Sequence, residues 1–281
     1  MSAAPGRSQA SSHRSPRGEG TPVSGAQPDP WTHLREHTAA RLALGRSGAG
    51  LPTDELLRFG LAHAQARDAV HIPLDVPALE AQLQALGCAT HTVRSAASDR
   101  ATYLLRPDLG RRLHPDEAQR LPYLAPAGGI DLLLVIGDGL SSQAIARQAV
   151  PVVEAIRRQA PADWTLGPVI VATQARVALG DEVGALLGAR LVAMLIGERP
   201  GLSSPDSLGI YLTWAPEPGR HDGQRNCISN VRPEGQAPEL AAARLWWLCQ
   251  AAWRLQLTGV QLKDRSDAVA LPGDTPTALG N

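Results

Sequence analysis

Apolar residues in this chain follow two rhythms, and the change between them falls near Gly128-Gly129. Beyond that point they gather in short runs: Asp131 to Ile136, Val169 to Ala172, Leu191 to Ile196 and Leu208 to Trp214. Runs of this length, bounded by glycine, suit strands buried on both faces. Between them the pattern turns helical, from the turn Gly137-Asp138-Gly139-Leu140-Ser141-Ser142 to about Gln159 and again from Ala175 to Leu187. Strands alternating with helices imply parallel pairing through βαβ units. A last helix is predicted over Pro238 to Leu257, carrying Leu240, Leu245, Leu248, Ala252 and Leu255. Its Trp246, Trp247 and Trp253 read as packing or subunit-contact residues. The predicted class is α/β, a Rossmann-like βαβ sheet domain preceded by a mainly helical N-terminal region.

That N-terminal region carries helix-start signals. Asp29-Pro30 places a cap before a first-turn proline, predicting a helix through Trp31 and Leu34 to Leu44, ended by Gly45. Pro52-Thr53-Asp54-Glu55 opens another, with Leu56, Leu57, Leu61 and Ala64 as its apolar face up to Val70. Its His63, Arg67 and Asp68 read as a surface or subunit-contact group. Pro77 to Leu86 is a short helix stopped by Gly87, Cys88 to Arg94 a strand, and His114-Pro115-Asp116-Glu117 a further helix start. The division predicted is a disordered tail over residues 1–28, the mainly helical region over 29–127, the α/β domain over 128–265 and a flexible tail over 266–281.

Composition narrows the function. Lys plus Arg and Asp plus Glu number 27 each, which argues against a nucleic-acid binder. No apolar run long enough for a transmembrane helix and no secretory h-region are visible, and Cys88, Cys227 and Cys249 lack any CxxC spacing. A reduced cytoplasmic chain is expected, without disulfide framework or zinc site.

Three stretches hold possible chemistry. The Gly137–Ser142 turn supplies two glycines of a dinucleotide fingerprint but has Ser142 for the third. It is compatible with NAD binding, and a tight structural turn is the stronger reading. Ser141 lacks the G-x-S-x-G context of a nucleophile. The polar segment from Gly197-Glu198-Arg199-Pro200 to Gly209 leaves the carboxyl end of a buried strand, where open α/β sheets bind ligands. A second polar loop runs from Arg225 to Asn230 around Cys227.

The segments DLLLVIGDGLSSQAIARQAVP (from Asp131), ARVALGDEVGALLGA (from Ala175), LIGERPGLSSPDSLGIYLTWAP (from Leu195) and RNCISNVRPEG (from Arg225) resemble the small (light) chain of ethanolamine ammonia-lyase. GRSGAGLPTDELLRFGLAHAQARDAVHIP (from Gly45) extends the resemblance. It implies a hetero-oligomer with a large (β/α)8-barrel subunit that holds ethanolamine. It also implies adenosylcobalamin at the interface, radical conversion of ethanolamine to acetaldehyde and ammonia, and no catalytic residue on this chain. Val177, Glu198 and Cys227 match the positions that the family assigns to cobalamin contact. Without the resemblance, Val177 reads equally as core, Glu198 as a partner for Arg199 or a helix end, and Cys227 as a small buried residue. No D-x-H-x-x-G pattern is present, so the cofactor is expected base-on. The family also implies partner contact through the helical region and an association of the leader with a bacterial microcompartment shell. Two other readings stand beside this one: a stand-alone nucleotide-dependent oxidoreductase, and an assembly subunit that binds no cofactor.

Overall fold

A computed structural model describes residues 26–27, 29–38 and 40–266. Both predicted tails lie almost wholly outside them. Two compact units divide at Phe59/Gly60.

In the first unit β1 (Ala26–Gln27) pairs antiparallel with β2 (Arg46–Ser47). The helix expected from Asp29 to Leu44 is reduced to one 3-10 turn, Thr32–Glu36. Its start signal is real, since Asp29 accepts from the Trp31 N–H at 2.9 Å. The turn buries no residue, and a short helix without tertiary burial does not propagate. The next helix, α1 (Thr53–His71), forms as predicted and crosses the division between the units. Its apolar face is left uncovered: Leu56, Leu57 and Leu61 are exposed, and only Ala62 and Ala69 of the helix are buried. Arg67 and Asp68 are exposed and 3.9 Å apart, a surface pair.

The second unit contains α2 (Val76–Ala85), β3 (Thr90–Arg94), α3 (Arg100–Leu105), α4 (Pro115–Arg120), β4 (Ile130–Gly137), α5 (Ser142–Arg158), β5 (Val169–Thr173), α6 (Leu179–Leu187), β6 (Ala189–Gly197), β7 (Leu208–Trp214), β8 (Asn226–Val231) and α7 (Pro238–Leu255). One six-stranded sheet runs in the order β3-β5-β4-β6-β7-β8. The first four strands are parallel, and β7 and β8 continue the sheet antiparallel. The architecture is α/β, as expected. β3 comes from the region read as mainly helical and forms the sheet edge beside β5.

Unbroken apolar runs reflect two cores. Leu132, Leu134 and Ile136 of β4 face α2, α5 and α7, while Leu133 and Val135 face α6. Leu191, Ala193 and Leu195 of β6 join the first core, and Val192, Met194 and Ile196 the second. Trp246 is buried, donates its indole N–H to Ile156 O at 2.9 Å and meets Trp164 edge-on at 5.3 Å. Trp246 is therefore a packing residue, and Trp253 joins the same aromatic group. No helix among the described residues is long and apolar enough to cross a membrane.

The loops after β4 and β5 lead to helices on opposite faces of the sheet, and at such a reversal the carboxyl ends of the strands open a crevice.

Candidate functional site

The glycine turn after β4 is packed shut. Gly139 has φ +56°, and a Cβ there would collide with the Gly197 carbonyl oxygen, so β4's turn sits directly against the end of β6. Close approach explains the glycine better than a nucleotide does. Ser141 is the N-cap of α5: its Oγ accepts from the Ala144 N–H at 3.1 Å and donates to Pro205 O at 2.8 Å. It is committed to structure.

Asp138, in the same turn, is buried. Its carboxylate accepts from Ala175 N–H (2.9 Å), Gln174 N–H (3.0 Å) and Arg100 Nη1 (3.0 Å). Arg100 in turn donates to Val70 O at 2.8 Å. Burial pushes the Asp138 pKa upward, and Arg100 and the backbone N–H groups oppose it. Asp138 thus fastens the β5–α6 loop, which presents Arg176 and Val177. Tyr103 lies beneath that loop, its ring between Arg100 (4.8 Å) and Arg176 (4.4 Å), its hydroxyl donating to Ala175 O at 3.0 Å.

Beside this clamp opens a cavity of about 410 Å³, lined by Leu140, Arg176, Val177, Ile196, Glu198 and Tyr211 among others. Val177 and Glu198 therefore share one site, although they are carried on different strand ends. Val177 packs half-buried against the core under α6, so it is both core and cavity wall. Glu198 does not pair with Arg199. Its two carboxylate oxygens each lie 3.2 Å from the Asn230 N–H. The side chain lies over Gly209, where an added Cβ would come within 3.0 Å of Oε1 and 3.3 Å of Tyr211. Gly209 leaves room for the carboxylate.

Cys227 does not line this cavity. It stands on β8 directly opposite Tyr211, which does. The segment Asn226–Asn230 is not a loop but part of an edge strand paired with β7: Ile228 and, past an irregularity in the register, Val231 are buried, while Cys227, Ser229 and Asn230 are exposed. The Cys227 residue is exposed as a whole, yet packing around its sulfur raises the thiol pKa. A hydrogen bond from the Tyr211 hydroxyl lowers it and nearby Glu198 raises it further. Burial, the Cys227 thiol and Glu198 together push the Tyr211 phenol well above its usual value. Both shifts keep the phenol and the thiol neutral beside Glu198 at neutral pH.

This arrangement can seat a broad, mostly apolar ligand with polar edges. Leu140, Ile196 and Val177 supply apolar wall, and Glu198 accepts from N–H groups. Tyr211 lines the cavity with Val177 and Glu198 and stands opposite Cys227, and nothing in the sequence marks it. Within Leu208–Trp214 it reads as one more strand residue, and only the register across β8 places it beside Cys227. Among the described residues no three His, Cys, Asp or Glu side chains converge to hold a metal.

The model of the family described as "Ethanolamine ammonia-lyase light chain (EutC)" matches residues 28–263. A protein of Azotobacter vinelandii named "Ethanolamine ammonia-lyase small subunit" is 52% identical over 253 residues, covering 89% of this chain and 94% of that one. Proteins of the same name from Pseudomonas syringae pv. tomato and Ralstonia nicotianae are each 53% identical, covering 89% of this chain and 88% and 94% of theirs.

Proposed function

Because the chain belongs to the ethanolamine ammonia-lyase light-chain family, we propose that it works as the small subunit of that enzyme, holding one side of adenosylcobalamin against a large subunit. The observation that carries this reading is the meeting of Val177 and Glu198 in one cavity at the strand ends, with Cys227 one strand away through Tyr211. Bound there, the cofactor supplies the radical chemistry that turns ethanolamine into acetaldehyde and ammonia.

The chain's own residues bind and shield. Val177, Leu140 and Ile196 form a floor that excludes water. Glu198 accepts from the amide N–H groups at the corrin edge, held in place by the Asn230 N–H. Cys227 keeps the strand beside the site low, so a broad disc can approach. The Asp138 clamp fixes the loop that carries Val177. A base-on cofactor agrees with a sequence that lacks the D-x-H-x-x-G pattern. The substrate pocket and reacting groups belong, in this reading, to the large subunit.

The helical region is the docking element in this reading. Along α1, Leu56, Leu57, Phe59 and Leu61 are all exposed, the character expected of a face that a partner covers. Cytoplasmic location, several copies of each subunit and loading into a microcompartment complete the proposal.

Co-expression with the large subunit, joint purification and measurement of ammonia release from ethanolamine test it. The expected result is release that needs both chains and adenosylcobalamin. Full activity from the large subunit alone would reduce this chain to an accessory.

A further inference from the structure

We propose that a second cavity, beside the first, is a seat for a phosphate group. It has a volume of about 580 Å³, and Arg111, Arg112, Glu182, Arg220, His221 and Asp222 stand around it. Its wall also includes Ala178, the residue after Val177, so the two cavities meet at the start of α6.

The arginines around it divide into paired and unpaired ones. Four arginines line it, Arg225 included, against the two carboxylates of Glu182 and Asp222. Both carboxylates are already engaged: Glu182 accepts from the Leu113 N–H at 2.8 Å and Asp222 from Arg225 at 2.9 Å. Arg225 is buried and also bonded to Asp181, and its Nη2 donates to Arg220 O at 2.7 Å. It is a strut that fixes the 220–222 segment. Arg220 is held by Ala215 O through Nε at 3.2 Å and Nη2 at 2.9 Å, and pairs with Glu217 at 3.3 Å.

Arg111 and Arg112 are different. Both are exposed, and among the described residues neither guanidinium has an ion pair or a side-chain hydrogen bond. Two unspent guanidinium forks on a cavity wall shared with a fixed third one suit the charge and hydrogen-bonding of a phosphate better than those of a carboxylate or a neutral amide. The first N–H groups of α6 are used in turn bonds back to Arg176, Val177 and Ala178. The arginines, not the helix end, therefore carry the site.

Phosphate chemistry has two sources here. One is the single phosphodiester in the nucleotide tail of a cobalamin seated in the neighbouring cavity, a source that rests on the cofactor reading above. The other is a free phosphate-bearing small molecule, which does not. Equilibrium dialysis on the complex with the large subunit separates them, using cobalamin, cobinamide (the same corrin without the nucleotide tail) and inorganic phosphate. If the tail is the source, Arg111→Ala with Arg112→Ala weakens cobalamin binding about ten- to hundredfold and leaves cobinamide within about twofold. If the source is free, the wild type binds inorganic phosphate saturably, the variant does not, and both corrinoids bind as before. Either result supports the seat. Both arginines are exposed, so the variant should fold, and an unchanged thermal midpoint checks that it does. Unchanged binding of all three probes overturns the proposal. So does weaker recovery of the large subunit as the sole effect, which would assign the arginines to the subunit contact. A wild-type complex that binds neither corrinoid would sink the cofactor reading instead, and phosphate binding alone would then decide the cavity.

Discussion

Asp138 and Glu198 occupy matching places, one residue beyond the ends of the neighbouring parallel strands β4 and β6. Their surroundings differ entirely. Asp138 is 2% exposed, and three donors from two other segments converge on it. Glu198 is half-buried at the rim of a cavity and bonds to one backbone N–H. A buried carboxylate whose acceptor sites are taken by protein is a fastener, because removing any partner strands a charge. A rim carboxylate with one partner keeps lone pairs for a ligand. The difference between structural acid and binding acid lies in who already occupies the oxygens.

Removing each acid is the sharpest way to break that comparison. Asp138→Asn leaves Arg100 buried beside a neutral amide, so stability measured by urea unfolding should fall by about 3–5 kcal/mol. A loss under about 1 kcal/mol would put the two acids in one class. Glu198→Ala should cost about 2–5 kcal/mol of cobalamin affinity, or roughly thirty-fold to several thousand-fold. Its effect on unfolding should stay below about 1 kcal/mol. Affinity within about fivefold of the wild type would count against the contact.

The smallest effect sharpens the electrostatics around Glu198. Because the Cys227 pKa is raised, less thiolate exists at a given pH than for an ordinary thiol. Alkylation by iodoacetamide at pH 8 should therefore be slower than for a small-molecule thiol, despite the exposure of the residue, and should climb with pH above the ordinary thiol range. Tyr211→Phe removes the hydroxyl that lowers this pKa, so the rate should drop further. A faster rate in that variant would mean the phenol shields the sulfur rather than bonding to it.

Much of the fold was legible in the sequence. Leu208 to Trp214 was bounded correctly from its apolar run alone, and Pro238 and Gly87 marked a helix start and a helix end where the structure has them. Such signals are local: a strand buried on both faces is mostly apolar along its length, and a proline or an αL glycine acts within a turn. Legibility failed where burial depended on a distant partner. The turn Thr32–Glu36 had a start signal before it but buries no residue. Asn226–Asn230 read as a loop because an edge strand presents polar residues on its open side.

The candidate site divides in the same way. Its position at the carboxyl end of a strand followed from the pattern of runs and turns, and Val177, Glu198 and Cys227 followed from resemblance to a family. What sequence alone determined was which segments become buried strands and helices, since hydrophobic period and turn residues act over a few positions. Tertiary structure decided that Asp138 fastens while Glu198 stays half-buried at a cavity rim, that Tyr211 lies beside Cys227, and that Arg111 and Arg112 line one cavity with Arg220. Those facts depend on strand order and register, which bring together residues far apart in the chain, and no local pattern encodes that pairing.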